Sequence, residues 1–381
     1  MASDPVFLMV PAYDQITFHQ APSNQDAFGW LGFNRAAWLI NSGEDLQVGF
    51  ASFTAPSAHQ IIVRNGAVAV NPVEWTKQIL GRKMFPWIEC PFVLGNDCAG
   101  EVVQVGSMVT HFRVGDRVLA HALSMDQAVN HSSEGAFQNY IVIRENMAAV
   151  IPRWLSYEEA CVIPLGLSTA ATALFGQDFL SLHHPGIPRG TGPDWLPEAV
   201  LVWDGSTSIG SSAIQLATAA GYEVITTCAP GNFEYVTRLG ASAVFDHRDP
   251  LTIQQIVDRM QQKKVVGAVA IGNDSAEACI EVLRRTEGAA PGYGSLGLVE
   301  HQGLAEVEEV WGEDQVGHRH LCGPYEVGAM VYNHFLPGAL ATGAFVAAPK
   351  PLVVGKGLEQ IQTALNCHMR GVTAQKAVVS L

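Results

Sequence analysis

Val200–Cys228, VLVWDGSTSIGSSAIQLATAAGYEVITTC, reads as a strand, a glycine-bracketed turn, a helix and a second strand. The apolar run Ala199–Trp203 is too short for a helix and is closed by Asp204-Gly205, as a buried parallel strand is. Gly205 and Gly210 bracket the turn. Ser211–Ala220 carries small residues with Ile214, Leu216 and Ala217, which suits a helix lying close on a sheet. Gly221 stops that helix and Glu223–Cys228 begins the next strand. A helix entered through such a turn aims backbone N–H groups and its positive dipole end at a pyrophosphate. The cofactor-binding candidates are therefore Gly205, Ser206, Thr207, Ser208, Ile209 and Gly210.

The turn departs from G-x-G-x-x-G at Thr207, where the pattern wants a glycine so that backbone can approach the phosphates. The tip of the second strand bears on the nucleotide. A 2′-hydroxyl binder places Asp or Glu roughly 20 residues past the first glycine. Here Thr226–Asn232 holds no carboxylate, and none follows until Glu234. That absence favours a 2′-phosphate, hence NADP(H) over NAD, with Asn232 and Tyr235 as candidate hydrogen-bonding partners. Gly272 ends the apolar strand Val265–Ile271, at the edge where ligands gather in open α/β sheets, and joins the cofactor candidates.

Outward from this unit, strands and helices alternate to about residue 300: Ala243–Phe245, Thr252–Gln261, Val265–Ile271, Ser275–Arg285 and Ser295–Val299. That alternation predicts an α/β, doubly wound sheet. Upstream the chain changes character. Short strands at Ala36–Ile40, Leu46–Phe50, Gln60–Asn65, Ala67–Val70, Gly100–Val105 and Gly135–Ile143 predict a β-rich, barrel-like domain. Helical pattern begins at Ser156, with Glu159 completing a capping box, and resumes at Ser168. Residues 1–33, with Pro5, Pro11 and Pro22, read as an irregular N-terminal extension.

Lys plus Arg number 22 against 36 Asp plus Glu, a net charge of −14, which argues against nucleic acid or an anionic membrane as partner. The longest apolar stretch, Ala160–Gly176, is broken by Pro164, so no spanning helix is expected. MASDPVFLMVPAYD lacks a basic n-region, and the 7 cysteines form no C-x-x-C pair; a cytoplasmic location is expected.

Several further segments carry a family likeness: Val68-Ala69-Val70-Asn71-Pro72, Leu94–Gly100, Val114-Gly115-Asp116-Arg117-Val118, Gly135-Ala136-Phe137, Pro164–Ala170 and Val354–Leu365. With the Gly205–Gly210 turn they resemble the medium-chain dehydrogenase/reductase superfamily. The likeness is greatest to its zinc-independent quinone reductase and enoyl reductase branch, and within it to fungal stand-alone enoyl reductases that serve polyketide synthases. The resemblance runs in order over roughly residues 34–381. It implies a GroES-like catalytic domain at 34–170, a Rossmann NADP-binding domain at 171–325 and a C-terminal return to the catalytic domain at 326–381. Close relatives occur as monomers and dimers; the atypical stretch 298–325, near the pairing edge, favours a monomer.

Zinc members of the superfamily place Cys where this chain has Asn71, and His-Glu where it has Asn96-Asp97. Their structural lobe needs four close cysteines, which Cys90 and Cys98 do not supply, so no metal is expected. His318-x-His320-x-Cys322 has suitable ligand types at strand-like spacing, and reads as surface histidines near a buried cysteine. Without a Lewis acid, alcohol oxidation loses its means of polarising oxygen. The resemblance then implies hydride delivery to an activated C=C bond, with an acyl or polyketide thioester as substrate, held on a carrier protein of a synthase. The alternatives are a quinone or 2-alkenal reductase acting on free small molecules, and an accessory, non-redox protein that keeps the fold.

The resemblance also marks catalytic candidates. Thr169 matches a position where a hydroxyl lies beside the nicotinamide, and Ser168 at the same turn reads as a helix cap. Asn71 replaces a zinc ligand and should face the cleft; its plainer reading is a turn before Pro72. Related enoyl reductases often carry a lysine five positions after this Asn, where this chain has Thr76; Lys77, one later, is the candidate oxyanion partner or proton donor. Asp97 could orient a neighbour, yet an Asp in such a turn is as readily structural. His121 and His131 precede the Gly135 strand and are placed to face the cleft, though a lone histidine is usually not catalytic.

Overall fold

The computed structural model describes residues 33–186, 198–261, 263–272, 275–286, 296–299 and 327–381. Nearly all of the expected leader, the trio His318, His320 and Cys322, Asn273, and the stretch beyond Val299 that bears on assembly lie outside those residues.

The chain enters through β1 (Phe33–Leu39), β2 (Gln47–Ser52), β3 (Gln60–Ala69), β4 (Phe92–Val93), β5 (Asp97–Val105), β6 (Arg117–His121), β7 (Tyr140–Arg144) and β8 (Ala148–Val150). It continues through β9 (Glu198–Val202), β10 (Glu223–Cys228), β11 (Ala243–Asp246), β12 (Lys264–Ile271) and β13 (Leu296–Val299), and ends in β14 (Lys350–Lys356) and β15 (Gln375–Ser380). The β-rich half holds a small sheet ordered β2-β1-β4 and a larger one ordered β14-β15-β3-β5-β6-β8, with β7 on β3. The C-terminal strand β15 pairs antiparallel with β3, Val378 opposite Ala69, so the chain's end closes the sheet its beginning opened.

β3 is one strand where the sequence suggested two. The break was suggested by Gly66, yet a Cβ there would stand 2.3 Å from the Tyr157 ring. The glycine admits a neighbour rather than turning the chain, and the ladder slips locally between Asn65 and Ala67.

The nucleotide half is an all-parallel sheet in the order β11-β10-β9-β12-β13. Its doubly wound character follows from the residues of β9. Ala199 and Leu201 join the apolar layer of Ile256 and Cys279, under the helices Thr252–Met260 and Ser275–Arg285. Val200 and Val202 point the other way, into a layer with Leu167, Ala171 and Ile214 from the helices Pro164–Phe175 and Ser208–Ala219. Such strands are buried on both faces, which is why they read as continuous apolar runs. The same layer takes in Ala67 and Leu119 of the β-rich half and Tyr332 and Leu336 of the C-terminal part, so one core joins the pieces. Among the described residues, no helix is long and apolar enough to cross a membrane.

Candidate active site

The glycine turn follows β9. Asp204 sits at φ +63°, in the left-handed region, and sends the chain into the helix Ser208–Ala219. A Cβ on Gly205 would meet Thr226 Oγ1 at 2.2 Å and one on Gly210 would meet the Asp204 carbonyl at 2.3 Å. The turn is therefore packed tightly, against side chains at Gly205 and against its own backbone at Gly210, and Thr207 explains the missing middle glycine. Its hydroxyl accepts from the Gly210 N–H at 3.0 Å and donates to the Asp204 carbonyl at 2.9 Å, as a helix N-cap. The N–H groups of Ser208 and Ile209 stand in the same first turn, where a helix has no acceptor of its own for them. They are the donors that would hold a pyrophosphate, and the residues present fit a dinucleotide. Thr207→Ala is expected to cost about 1 kcal/mol and Thr207→Gly only a few tenths. Chemical denaturation of the two variants checks the order.

Of the outer cofactor candidates, Tyr235 bonds Ser211 through its phenol at 2.7 Å, and burial pushes that phenol up to about 12. Asn232 stands at the start of the helix Phe233–Arg238 without a side-chain cap bond. Gly272 closes β12 at φ +88°, with open space where a Cβ would lie. The sequence reading missed the tip of β11: Asp246 pairs with Cys228 in the sheet, and His247 and Arg248 follow it. Burial raises the Asp204 carboxyl, and the His247 ring lies near enough to oppose the rise. Val346, just past the helix Leu336–Thr342, exchanges two bonds with Gln215 on the helix Ser208–Ala219, at 2.8 and 3.2 Å.

A second cluster lies where β3 leads into the helix Pro72–Leu80. Asn71 is its buried N-cap, and its side-chain N–H donates to Asp97 at 2.9 Å. Asp97 also accepts from the Leu165 N–H at 2.6 Å and pairs with the Lys376 ammonium at 2.5 Å. Lys376 comes from β15, is almost wholly buried, and also donates to the Val162 carbonyl. One carboxylate thus ties the helix Pro164–Phe175, the C-terminal strand and Asn71 together. One side-chain amide and a carboxylate already paired with a fixed ammonium do not make a zinc donor set. Among the described residues, no group of three His, Cys, Asp or Glu side chains stands ready to hold a metal.

Glu74 completes the cluster, accepting from the backbone N–H groups of Asn71 at 2.5 Å and Asn96 at 3.0 Å. Burial, and then the Asp97 charge, push its carboxyl up to about 8. Its folded value is raised, so the fold favours the protonated form. That contribution is full below the ordinary value of 4.5 and is lost as pH rises through about 8. The thermal midpoint is expected to fall between about pH 5 and pH 8 and then level off. Glu74→Gln, which does not ionise, should give a flatter profile by calorimetry over the same range.

The catalytic candidates separate. Asn71 belongs to the buried cluster. Thr169 is half-buried on the helix Pro164–Phe175, its hydroxyl donating to the Leu165 carbonyl at 2.9 Å. Ser168 is not a cap: the helix begins four residues earlier, and Ser168 is buried inside it, bonded to His121 at 2.8 Å and Tyr332 at 2.7 Å. Lys77 does not suit the part expected of it. Its side chain is fully buried and its ammonium donates to the carbonyls of Gly81, Phe85 and Ile88 at 3.3, 3.1 and 2.9 Å. All three protons close a helix end and the loop after it, which leaves none for substrate. Glu74, Lys376 and Tyr332 escaped the sequence reading. Only Glu74 had a signal, the spacing Asn71-x-x-Glu74 of a capping box.

Residues 57–153 match the alcohol dehydrogenase GroES-like domain. Dehydrogenase pigH of Monascus ruber is 45% identical over 378 residues, covering 91% of this chain and 99% of that relative. Trans-enoyl reductase himH of Aspergillus japonicus is 38% identical over 353 residues, covering 91% of this chain and 97% of its own. Among solved structures, an alcohol dehydrogenase superfamily protein from Novosphingobium aromaticivorans shares the fold, with a TM-score of 0.68 at 21% identity over 91% of this chain and 99% of that one. At such identity to relatives matched over nearly their whole length, this chain belongs to the medium-chain dehydrogenase/reductase family, whose members are oxidoreductases that work with a nicotinamide cofactor.

Proposed function

We propose that this chain is an NADPH-dependent, zinc-independent reductase of activated C=C bonds, acting as a cytoplasmic monomer on an acyl or polyketide thioester carried by a synthase. The observation that carries the reading is the Asn71–Asp97–Lys376 cluster. At the positions where the superfamily's zinc members hold their metal, this chain holds amides and an internal ion pair. A site without a Lewis acid suits an electrophile already activated by its own carbonyl. The likeness to a relative named trans-enoyl reductase supports that choice of substrate class. NADPH is favoured over NADH by the β10 tip, where Thr226, Thr227 and Cys228 are buried and carry no carboxylate, and by His247 and Arg248 at the next tip.

When bound, the cofactor supplies a hydride to the β-carbon. The protein's share is positional. The first turn of the helix Ser208–Ala219 would grip the pyrophosphate. The Pro164–Phe175 helix, whose Leu165 N–H is fixed by Asp97, would present Thr169 toward the nicotinamide. Gly166 lets that helix lie against the cofactor turn, since a Cβ there would stand 2.8 Å from the Ser208 carbonyl. The buried apolar layer that joins the halves, which includes Leu167, Ala171 and Ile214, would limit the approach of water.

The test is turnover of a carrier-bound enoyl thioester, followed by loss of NADPH absorbance, with NADH and the free thioester as comparisons. Consumption of NADPH with the carrier-bound substrate foremost is expected. Equal turnover of free quinones or 2-alkenals would reassign the substrate, and cofactor binding without any turnover would make the chain an accessory protein.

A further inference from the structure

Tyr332, Ser168 and His121 form a buried line of hydrogen bonds that joins three parts of the fold. Tyr332 lies on the π-helical segment Met330–Phe335, a local geometry that recurs at functional sites. Its phenol is 2.8 Å from the Pro164 carbonyl and 2.7 Å from Ser168 Oγ. Ser168 Oγ is in turn 2.8 Å from His121 Nδ1, and His121 sits on β6 directly opposite Asp97 of β5. All three side chains are 2% exposed or less.

Counting protons along this line fixes its polarity. A carbonyl oxygen has no proton, so Tyr332 must spend its only one on Pro164. The contact between Tyr332 and Ser168 then needs the Ser168 proton, leaving that hydroxyl able only to accept from His121. Nδ1 must therefore carry a hydrogen. We propose that Tyr332 and Ser168 are positioning residues that hold His121 as its Nδ1–H tautomer. Nε2 is thereby the nitrogen through which His121 accepts a hydrogen bond or exchanges a proton. The neutral Nε2–H tautomer is excluded, because it would set two lone pairs against each other at 2.8 Å.

The placement gives the tautomer a consequence. Ser168 immediately precedes Thr169, and Asp97 anchors the helix that carries both. The consequence for catalysis rests on the reductase reading above; the tautomer itself does not. A histidine held in this way has a proton-accepting nitrogen of fixed direction within the same cluster of elements, where a double-bond reduction needs controlled protonation.

The experiment is long-range proton–nitrogen NMR on protein labelled at histidine nitrogens, with the His121 signals identified by their loss in His121→Gln. Wild type is expected to show a protonated, pyrrole-like Nδ1. Tyr332→Phe removes the acceptor of the Ser168 proton, and Ser168→Ala removes the acceptor of the Nδ1 proton. Each should move the signals toward a mixture of tautomers and shift the pH profile of kcat, with affinity for NADPH unchanged. A neutral Nε2–H pattern in wild type overturns the proposal, as does an unaltered pattern in both folded variants. Should either variant fail to fold, the wild-type spectrum alone decides. Should the enzyme reduce no enoyl thioester, the spectrum still stands, so the two readings fail separately.

Discussion

Lys376→Met is expected to destabilise the protein by about 3–5 kcal/mol, the loss that follows when one member of a buried ion pair is removed. The size comes from what stays behind. Asp97 is fully buried, and without the ammonium its carboxylate keeps, among the described residues, the Asn71 amide and the Leu165 N–H as hydrogen-bond partners. Glu74, a second buried carboxyl in the same cluster, already feels the Asp97 charge and would feel it more. Activity should fall with stability, because the Leu165 contact sets the start of the helix that carries Ser168 and Thr169. A double variant, Lys376→Met with Asp97→Asn, separates charge from packing. If the orphaned charge is the cause, the pair should be more stable than Lys376→Met alone. Urea unfolding of the four proteins of this cycle measures it. A Lys376→Met midpoint equal to wild type would mean that Asp97 is neutral or hydrated, and the cluster would lose its role as the fixed core of the site.

The fold was legible because burial on both faces of a parallel sheet writes itself as short apolar runs. The Val200–Cys228 unit shows this most clearly: both strands, the helix and its stop at Gly221 lie within a few residues of where the pattern put them. Three features escaped for different reasons. The strand was split at Gly66, since a sequence does not show that a glycine is making room for a tyrosine ring from elsewhere in the chain. Lys376 stands in an ordinary strand, QKAVVS, and its partner is 279 positions upstream. Lys77 was read against its relatives' pattern, whereas its ammonium is used locally, by carbonyls between four and eleven residues ahead. Contacts between distant segments leave no mark at either end. The reverse holds for Thr207, a departure from the fingerprint that proves to be a helix cap, a role its own residue type states.

The same turn supplies the sharpest test of cofactor binding. Gly210→Ala is expected to weaken NADPH binding about 10- to 100-fold, the equivalent of about 1–3 kcal/mol of overpacking. The new methyl would stand 2.3 Å from the Asp204 carbonyl and 2.6 Å from Gly205 Cα, and both are backbone atoms in a turn already held at positive φ. Relief requires moving the turn, and with it the Ser208 and Ile209 N–H groups that would hold the pyrophosphate. Gly205→Ala offers an internal control. Its methyl meets Thr226 Oγ1 at 2.2 Å and Ile214 Cδ1 at 2.7 Å, which are side-chain atoms. Trimming them in Gly205→Ala/Ile214→Val/Thr226→Ala should restore much of the affinity, whereas Gly210→Ala has no side chain whose removal would help. Titration of intrinsic tryptophan fluorescence with NADPH reads all of these variants. If Gly210→Ala bound as tightly as wild type, the phosphates would have to sit elsewhere, and the turn would be structural alone.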